Sequence, residues 1–277
     1  HRTVWSMAHR LGTRPIGYLW FQYELPGHIH FGTDKKNVLP VRAGTTVRPA
    51  ARYFTGAGIY RHVHLSVTNQ VHVAHWGSFV TASNVTGEKA TVSVQAKINN
   101  PTAAVQTLLI QTSIISPDGK IVATVDAKQK IESGKEETVL QKVLLTKPAL
   151  WDVNDPQLYK ATTKIIINKK TVDEVTVSFG VRDSKFDAST GFSLNGKNLK
   201  IKGVCLHHEV GALGAAVPLN AWKRRFQLLN ELVVNAIRTS HNAVALEFLD
   251  LCDKMGLLVM DETFDTWNAA KSHAEKG

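Results

Sequence analysis

Residues 235–267 constrain the fold of this chain more than any other stretch. Residues 235–239 form a short apolar run that ends in polar residues and is too short for a helix. Residues 257–260 form a continuous apolar run, typical of a strand buried on both faces of a parallel sheet. Residues 245–255 between them predict a helix that ends at Gly256. Its buried face carries apolar side chains at helical spacing: Val244, Phe248, Leu251, Cys252 and Met255.

Polar side chains follow both predicted strands at the point where each strand ends. Residues 238–241 close the first strand, and Asp261, Glu262 and Asp265 follow the second. In parallel strand–helix architectures, ligands and catalytic groups lie at the carboxyl ends of the strands. The sequence therefore predicts a functional site at this edge of the sheet.

Four segments carry a resemblance to a known family. The run NAIRTSHN, followed by LCDKMGLLVMDE, resembles the start of the catalytic barrel in glycoside hydrolase family 2, the β-galactosidase-like enzymes. Residues 195–218 resemble the first barrel strand and its loop, and residues 52–65 resemble the end of the N-terminal jelly-roll. LWDVNDPQLY, at residues 150–159, resembles part of the sandwich between them. The four matches follow the order of the family over nearly the whole chain.

The resemblance implies a mainly β chain with a C-terminal α/β part. We expect a partial jelly-roll sugar-binding domain at residues 1–65, an immunoglobulin-like β-sandwich at 66–183, and the first strands of a (β/α)8 TIM barrel at 184–277. Such a barrel takes roughly 250 residues. The 78 residues from 200 to 277 suffice for three strands and two helices at most. We therefore expect a fragment cut at both ends, with the catalytic glutamates beyond Gly277.

The remaining segments carry patterns of their own. Strand-like pieces occur at residues 19–23, 37–41 and 59–65, and another strand is expected at 200–206. Residues 91–98 alternate as a half-buried strand does, and Asn195-Gly196 predicts a small hairpin. Residues 158–167 and 172–179 flank residues 168–170 as a second hairpin. A helix beginning at Pro218 is expected to bury four side chains: Trp222, Phe226, Leu229 and Val233.

Composition excludes several classes of function. The net charge is +10, but the longest basic run, residues 223–225, fits the solvated side of a helix, so no nucleic-acid partner is expected. No apolar run approaches 18 residues, which argues against a membrane-spanning helix. The two cysteines, Cys205 and Cys252, are expected to be buried free thiols. No cofactor or metal is expected. The compartment (periplasmic, secreted or cytoplasmic) and a homo-oligomeric state of the intact enzyme stay open.

His207, His208 and Glu209 form a candidate cluster in the loop after the first barrel strand. Adjacent residues on an extended chain point in opposite directions, which argues against joint chelation of one ion. A structural role in the loop is favoured over metal binding or a sugar contact. The family usually has His-His-Asp here, so Glu209 lengthens one side chain.

Arg238 and His241 are the stronger candidates. An arginine at a strand end can hold a carboxylate through two N–H groups and lower its pKa, although a structural ion pair would have the same spacing. The resemblance implies that both residues lie in the substrate pocket. The family typically has proline where this chain has Ala243, and glycine where it has Val234.

The carboxylates after the second strand invite assignment as a catalytic pair. Retaining glycosidases need two carboxyl groups about 5–5.5 Å apart, a geometry that neighbours at one strand end rarely present. The resemblance implies that both catalytic glutamates lie on later strands, and that Glu262 is a framework residue. It also implies that Asp265 and Trp267 bind substrate, although Trp267 packing within a barrel loop is an equal alternative. The run from Phe264 to Trp267 favours galactosidase over glucuronidase or mannosidase.

The function implied by the resemblance is hydrolysis of β-linked carbohydrates with retention, through a covalent glycosyl intermediate. As a fragment, the chain is expected to be inactive alone. The alternative is a non-catalytic carbohydrate-binding or structural β-sandwich module.

Overall fold

The structure is a computed structural model that describes residues 2–14, 17–25, 27–44 and 58–263. The chain forms two compact units. The first comprises residues 1–63, 202–251 and 259–277, and the second comprises residues 64–201 and 252–258. The division into three domains remains a prediction.

The N-terminal part of the first unit contains a small antiparallel sheet. Its strands are β1 (Arg2–Ser6), β2 (His9–Arg14) and β3 (Val41–Ala43), in the order β2-β1-β3. The strands predicted at residues 19–23 and 59–65 are wrong, because both segments are irregular, and the one predicted at 37–41 shares only Val41 with β3. Two side chains of the 59–65 segment donate hydrogen bonds to backbone carbonyls of residues 17 and 18. Tyr60 donates its hydroxyl to the Gly17 carbonyl, and Arg61 donates Nη1 to the Tyr18 carbonyl.

The second unit is built on a β-sandwich, which confirms the immunoglobulin-like fold predicted for this block. Its strands are β4 His72–Ser83, β5 Lys89–Asn100, β6 Gln106–Ile115, β7 Ile121–Ile131, β8 Lys135–Thr146, β9 Trp151–Asp152, β10 Asp155–Pro156, β11 Tyr159–Ile167 and β12 Lys170–Phe179. One antiparallel sheet has the order β4-β5-β8 and the other the order β12-β11-β6-β7. A two-strand ribbon, β9 and β10, precedes β11.

Alternating side chains of β5 fill the sandwich core, as predicted. The exposed fraction is at most 1% for Val92, Val94, Ala96 and Ile98. The core also buries polar side chains that bond to one another. Thr112 contacts Gln141 at 2.6 Å and Thr163 at 2.9 Å, and Gln141 donates Nε2 to the Ile110 carbonyl. Because these buried groups have partners, they do not carry the cost of an unpaired polar atom.

Two tight turns confirm the predicted hairpins. Asn168 and Lys169 join β11 to β12 with φ of 50° and 65°. A three-stranded sheet follows, made of β13 (Ser184–Asp187), β14 (Gly191–Leu194) and β15 (Lys197–Asn198). Asn195 and Gly196, with φ of 51° and 76°, join its last two strands. Both turns have the positive φ values of type I′ hairpins, for which asparagine and glycine are favoured.

The C-terminal α/β part confirms the predicted order of strands and helices. Its strands are β16 (Gly203–Leu206), β17 (Ala236–Thr239) and β18 (Leu258–Met260), with β17 in the middle and parallel to β16. A 3₁₀ turn (Gly211–Leu213) and helix α1 (Leu219–Glu231) connect β16 to β17, and helix α2 (Leu246–Met255) connects β17 to β18. Trp222, Phe226 and Phe248 pack together, and the Phe248 ring lies edge-on to the other two, 4.9 and 5.0 Å away. No described helix is long and apolar enough to cross a membrane.

Three burial predictions in this part are wrong. Val233 lies beyond the end of α1, with φ of 58°, and is 62% exposed. Met260 is 65% exposed and its neighbours are only half-buried, because β18 is an edge strand of a three-stranded sheet. Cys205 is exposed on the other edge strand, whereas Cys252 is buried in α2 as predicted. Burial raises the pKa of the Cys252 thiol well above its usual range.

Candidate active site

The polar residues after β17 and β18 meet around Glu262. Its Oε1 accepts a hydrogen bond from Nε of Arg238 at 2.6 Å and forms an ion pair with Nη2 of the same residue at 2.5 Å. Its Oε2 lies 3.3 Å from Nδ1 of His241. The carboxylate therefore links an arginine of β17 to an imidazole in the following loop.

Arg238 makes the two-pronged contact that the sequence suggested, but with a different geometry. Both N–H groups converge on one oxygen rather than on two, which leaves the second oxygen to His241. The hydrogen bond with Glu262, helped by a 3.7 Å contact with Sγ of Cys205, raises the pKa of Arg238. The side chain of Arg238 is 43% exposed and that of Glu262 is 22% exposed, so the pair lies at an open face rather than in a buried core.

Thr239 holds the backbone segment that carries the carboxylates of Asp261 and Glu262. Its buried hydroxyl donates to Oδ1 of Asp261 at 2.7 Å and accepts the backbone N–H of Glu262 at 2.9 Å. Sequence reasoning missed this residue. The available signal was a threonine next to Arg238 at a strand end that faces two acidic residues.

His207 and His208 differ in burial and contact different residues: His207 is exposed, whereas His208 is buried. The ring of His207 lies edge-on to His241, with centroids 5.4 Å apart. His208 is 7% exposed, and its Nε2 lies 2.9 Å from the Asn242 carbonyl, to which it donates. Burial lowers the pKa of His208 to about 4, so the ring is neutral at neutral pH. In the part of the chain that the structure describes, no group of three or more potential metal ligands occurs.

The other two candidates, Asp265 and Trp267, lie outside the described residues, and their roles remain predictions. Of the carboxylates that the structure does describe, Glu262 is engaged at both oxygens and Asp261 is held by Thr239. Both carboxylates are therefore held by neighbouring side chains. The arrangement can therefore present an imidazole and a guanidinium at the open end of the strands.

Comparisons with known proteins identify the family of the chain. The model for "Glycosyl hydrolases family 2" matches residues 71–182, and the model for its TIM barrel domain matches residues 187–275. The chain belongs to glycoside hydrolase family 2. This confirms the resemblance, and with it the sandwich followed by the start of a barrel.

The relatives within family 2 are named as glycosidases. A β-galactosidase of Bacteroides ovatus is 41% identical over 262 residues, which cover 95% of this chain and 31% of the relative. A protein of Formosa agariphila named as a putative β-glucuronidase is 38% identical, with 96% and 25% covered. A crystal structure of a family 2 member from Bacteroides cellulosilyticus has a TM-score of 0.94 at 33% identity, covering 98% of this chain and 35% of that one. The chain thus spans about a quarter to a third of the length of the curated relatives it matches.

Proposed function

We propose that this chain forms part of a retaining β-glycosidase that hydrolyses O-glycosidic bonds of β-linked carbohydrates. The observation that carries the proposal is the contact of Glu262 with Arg238 and His241 at the strand ends of a family 2 barrel segment. In this reading the chain comprises a partial jelly-roll (residues 1–65), the sandwich (66–183) and the start of the catalytic barrel (184–277).

Arg238, His241, Asp265 and Trp267 would line the sugar pocket. His241, held at Nδ1 by Glu262, would hydrogen-bond a substrate hydroxyl. A contact of this kind accelerates hydrolysis only if it strengthens as the sugar distorts towards the transition state. Arg238 would hold Glu262, and through it His241, in place.

The substrate would be a β-galactoside rather than a β-glucuronide. A uronic acid carboxylate requires a cationic partner, and the guanidinium of Arg238 is already paired with Glu262. The residues from Phe264 to Trp267 favour the same choice, as does the relative with 41% identity, which is named as a β-galactosidase.

The nucleophile and the general acid would be two glutamates on later barrel strands. They would lie in the part of the relatives' length that this chain does not span. Asp261 and Glu262 are held by Thr239, Arg238 and His241, and they would support the site rather than react.

A replacement experiment tests the proposal. The matched segment of the Bacteroides ovatus β-galactosidase is exchanged for this chain, and the chimera is assayed with chromogenic β-galactosides and β-glucuronides beside the 277-residue chain alone. We expect the chimera to cleave the β-galactoside and the chain alone to be inactive. A folded chimera that prefers the glucuronide would refute the substrate assignment. A folded but inactive chimera would favour a non-catalytic module. If the chain alone hydrolyses a substrate and Glu262→Gln abolishes that activity, Glu262 is the catalyst.

A further inference from the structure

The loop between β17 and α2 carries His241, and two side chains from outside this loop hold its backbone. His208 donates Nε2–H to the Asn242 carbonyl at 2.9 Å. Arg61 donates Nη2 to the next carbonyl, that of Ala243, at 2.7 Å. The two carbonyls immediately after His241 are therefore both fixed by side chains.

Arg61 and His208 are themselves tied together through Tyr18. The Nη1 group of Arg61 donates to the Tyr18 carbonyl at 2.5 Å, and the ring of His208 lies 4.9 Å from the Tyr18 ring. All of these residues belong to the first compact unit. The planar guanidinium spans two carbonyls that are far apart in sequence, which a single ammonium group cannot do equally well.

Nothing in the sequence of the loop itself gives it comparable rigidity. Ala243 leaves φ unrestrained, whereas the imidazole of His241 must stay 3.3 Å from Glu262 for the contact to persist. We propose that Arg61 and His208 are positioning residues that fix the His241 loop and thereby set the orientation of the His241 imidazole. This inference rests on the proposed function, because a fixed His241 matters most if it binds the sugar.

The test reads the imidazole of His241 directly in the 277-residue chain. Nitrogen-15 shifts of the ring, assigned with a His241→Gln variant, report which ring nitrogen carries the proton. The wild-type chain should show mainly the Nδ1–H form, because Nδ1 faces Glu262. Arg61→Lys and His208→Leu should both shift the ring towards the Nε2–H-dominated mixture of a solvent-exposed histidine. His208→Gln retains an N–H donor and should restore much of the wild-type spectrum.

Arg182→Lys is the matched control, since Arg182 lies over the Trp151 ring in the other unit. It should leave the His241 signals unchanged. If Arg61→Lys and His208→Leu lower the melting temperature but leave the His241 tautomer unchanged, the two residues are merely structural and the proposal is wrong. Because no substrate is used, this outcome is independent of the chimera assay. An inactive chimera would refute the proposed function without altering the tautomer result.

Discussion

Arg238 donates Nε–H to Oε1 of Glu262 at 2.6 Å, and its Nη2 forms an ion pair with the same oxygen at 2.5 Å. The second oxygen of Glu262 is thereby left for His241. Glu262, which sequence reasoning assigned to the framework, therefore contacts two of the four candidate substrate-binding residues, and its substitution should disturb both.

Glu262→Gln should lower kcat/KM of the chimera for a β-galactoside roughly ten- to hundredfold, because a charge-assisted contact with Arg238 is lost. Steady-state kinetics measure the change. Asp261→Asn is the matched control, because an amide oxygen still accepts the hydrogen bond from Thr239, and its effect should be much smaller. Equal effects of the two substitutions would contradict a special role for Glu262.

His241→Ala should also lower kcat/KM about ten- to hundredfold, the usual effect of losing one hydrogen bond to substrate. Arg238→Ala should lower it further, because Glu262 loses its counter-charge and His241 loses its fixed partner. Arg238→Lys should recover only part of the loss, since an ammonium group does not reproduce the guanidinium fork. If the alanine variants keep the parental kcat/KM and differ only in melting temperature, both residues are framework and the pocket assignment is wrong.

The elements that sequence reasoning predicted correctly are those whose patterns are local. The apolar spacing of α2, the alternation in β5 and the Asn195-Gly196 turn each lie within one short segment. The irregular segments at 19–23 and 59–65 were mistaken for strands because aromatic and β-branched residues resemble strand sequence wherever they occur. A side chain of the second segment, Arg61, instead bonds to the Tyr18 carbonyl, a contact distant in sequence that no local pattern reveals.

The candidate site, too, was predictable only where the signal is local in sequence. The carboxyl ends of β17 and β18 were predictable, because they follow from strand order. The partner of Arg238 was not predictable, because an arginine at a strand end can reach several carboxylates, and only the folded arrangement of the strands selects Glu262. The contact between Arg61 and Ala243 joins residues 182 positions apart, so spacing within the site could not indicate it.

The sandwich should fold without the rest of the chain. Residues 66–183 contain both packed sheets, an apolar core and the bonded Thr112–Gln141–Thr163 cluster. We expect this segment, expressed alone, to melt in one cooperative transition. It loses the contact between the Trp151 indole N–H and the Asp253 carbonyl, which should cost about 1 kcal/mol. A broad, non-cooperative melt detected by circular dichroism would contradict this expectation.

The 277-residue chain should expose an apolar sheet face. Met260 is 65% exposed on an edge strand, and exposed sheet edges favour association. We expect the chain to bind a hydrophobic dye and to self-associate, as measured by fluorescence and light scattering, whereas residues 66–183 alone should do neither. A monodisperse chain that does not enhance dye fluorescence would show that this face is covered.

The buried ring of His208 should make stability depend on pH. Burial lowers its pKa to about 4 from an ordinary 6.5, against a smaller opposing effect of the Asn242 carbonyl. Arg61 and His207 lower the value further, while Asp261 raises it.

As the pH falls below 6.5, the unfolded chain binds a proton that the folded chain does not. The contribution of His208 to the free energy of unfolding is therefore fully present above pH 6.5. It declines between pH 6.5 and 4 and is lost below about pH 4. The difference of about 2.5 pKa units corresponds to roughly 3 kcal/mol. Urea unfolding from pH 7.5 to 4 should show this decline, and His208→Gln, which cannot titrate, should show a smaller one. An NMR titration of the His208 ring that gives a value near 6.5, or an unchanged slope in His208→Gln, would rule out this residue as the cause.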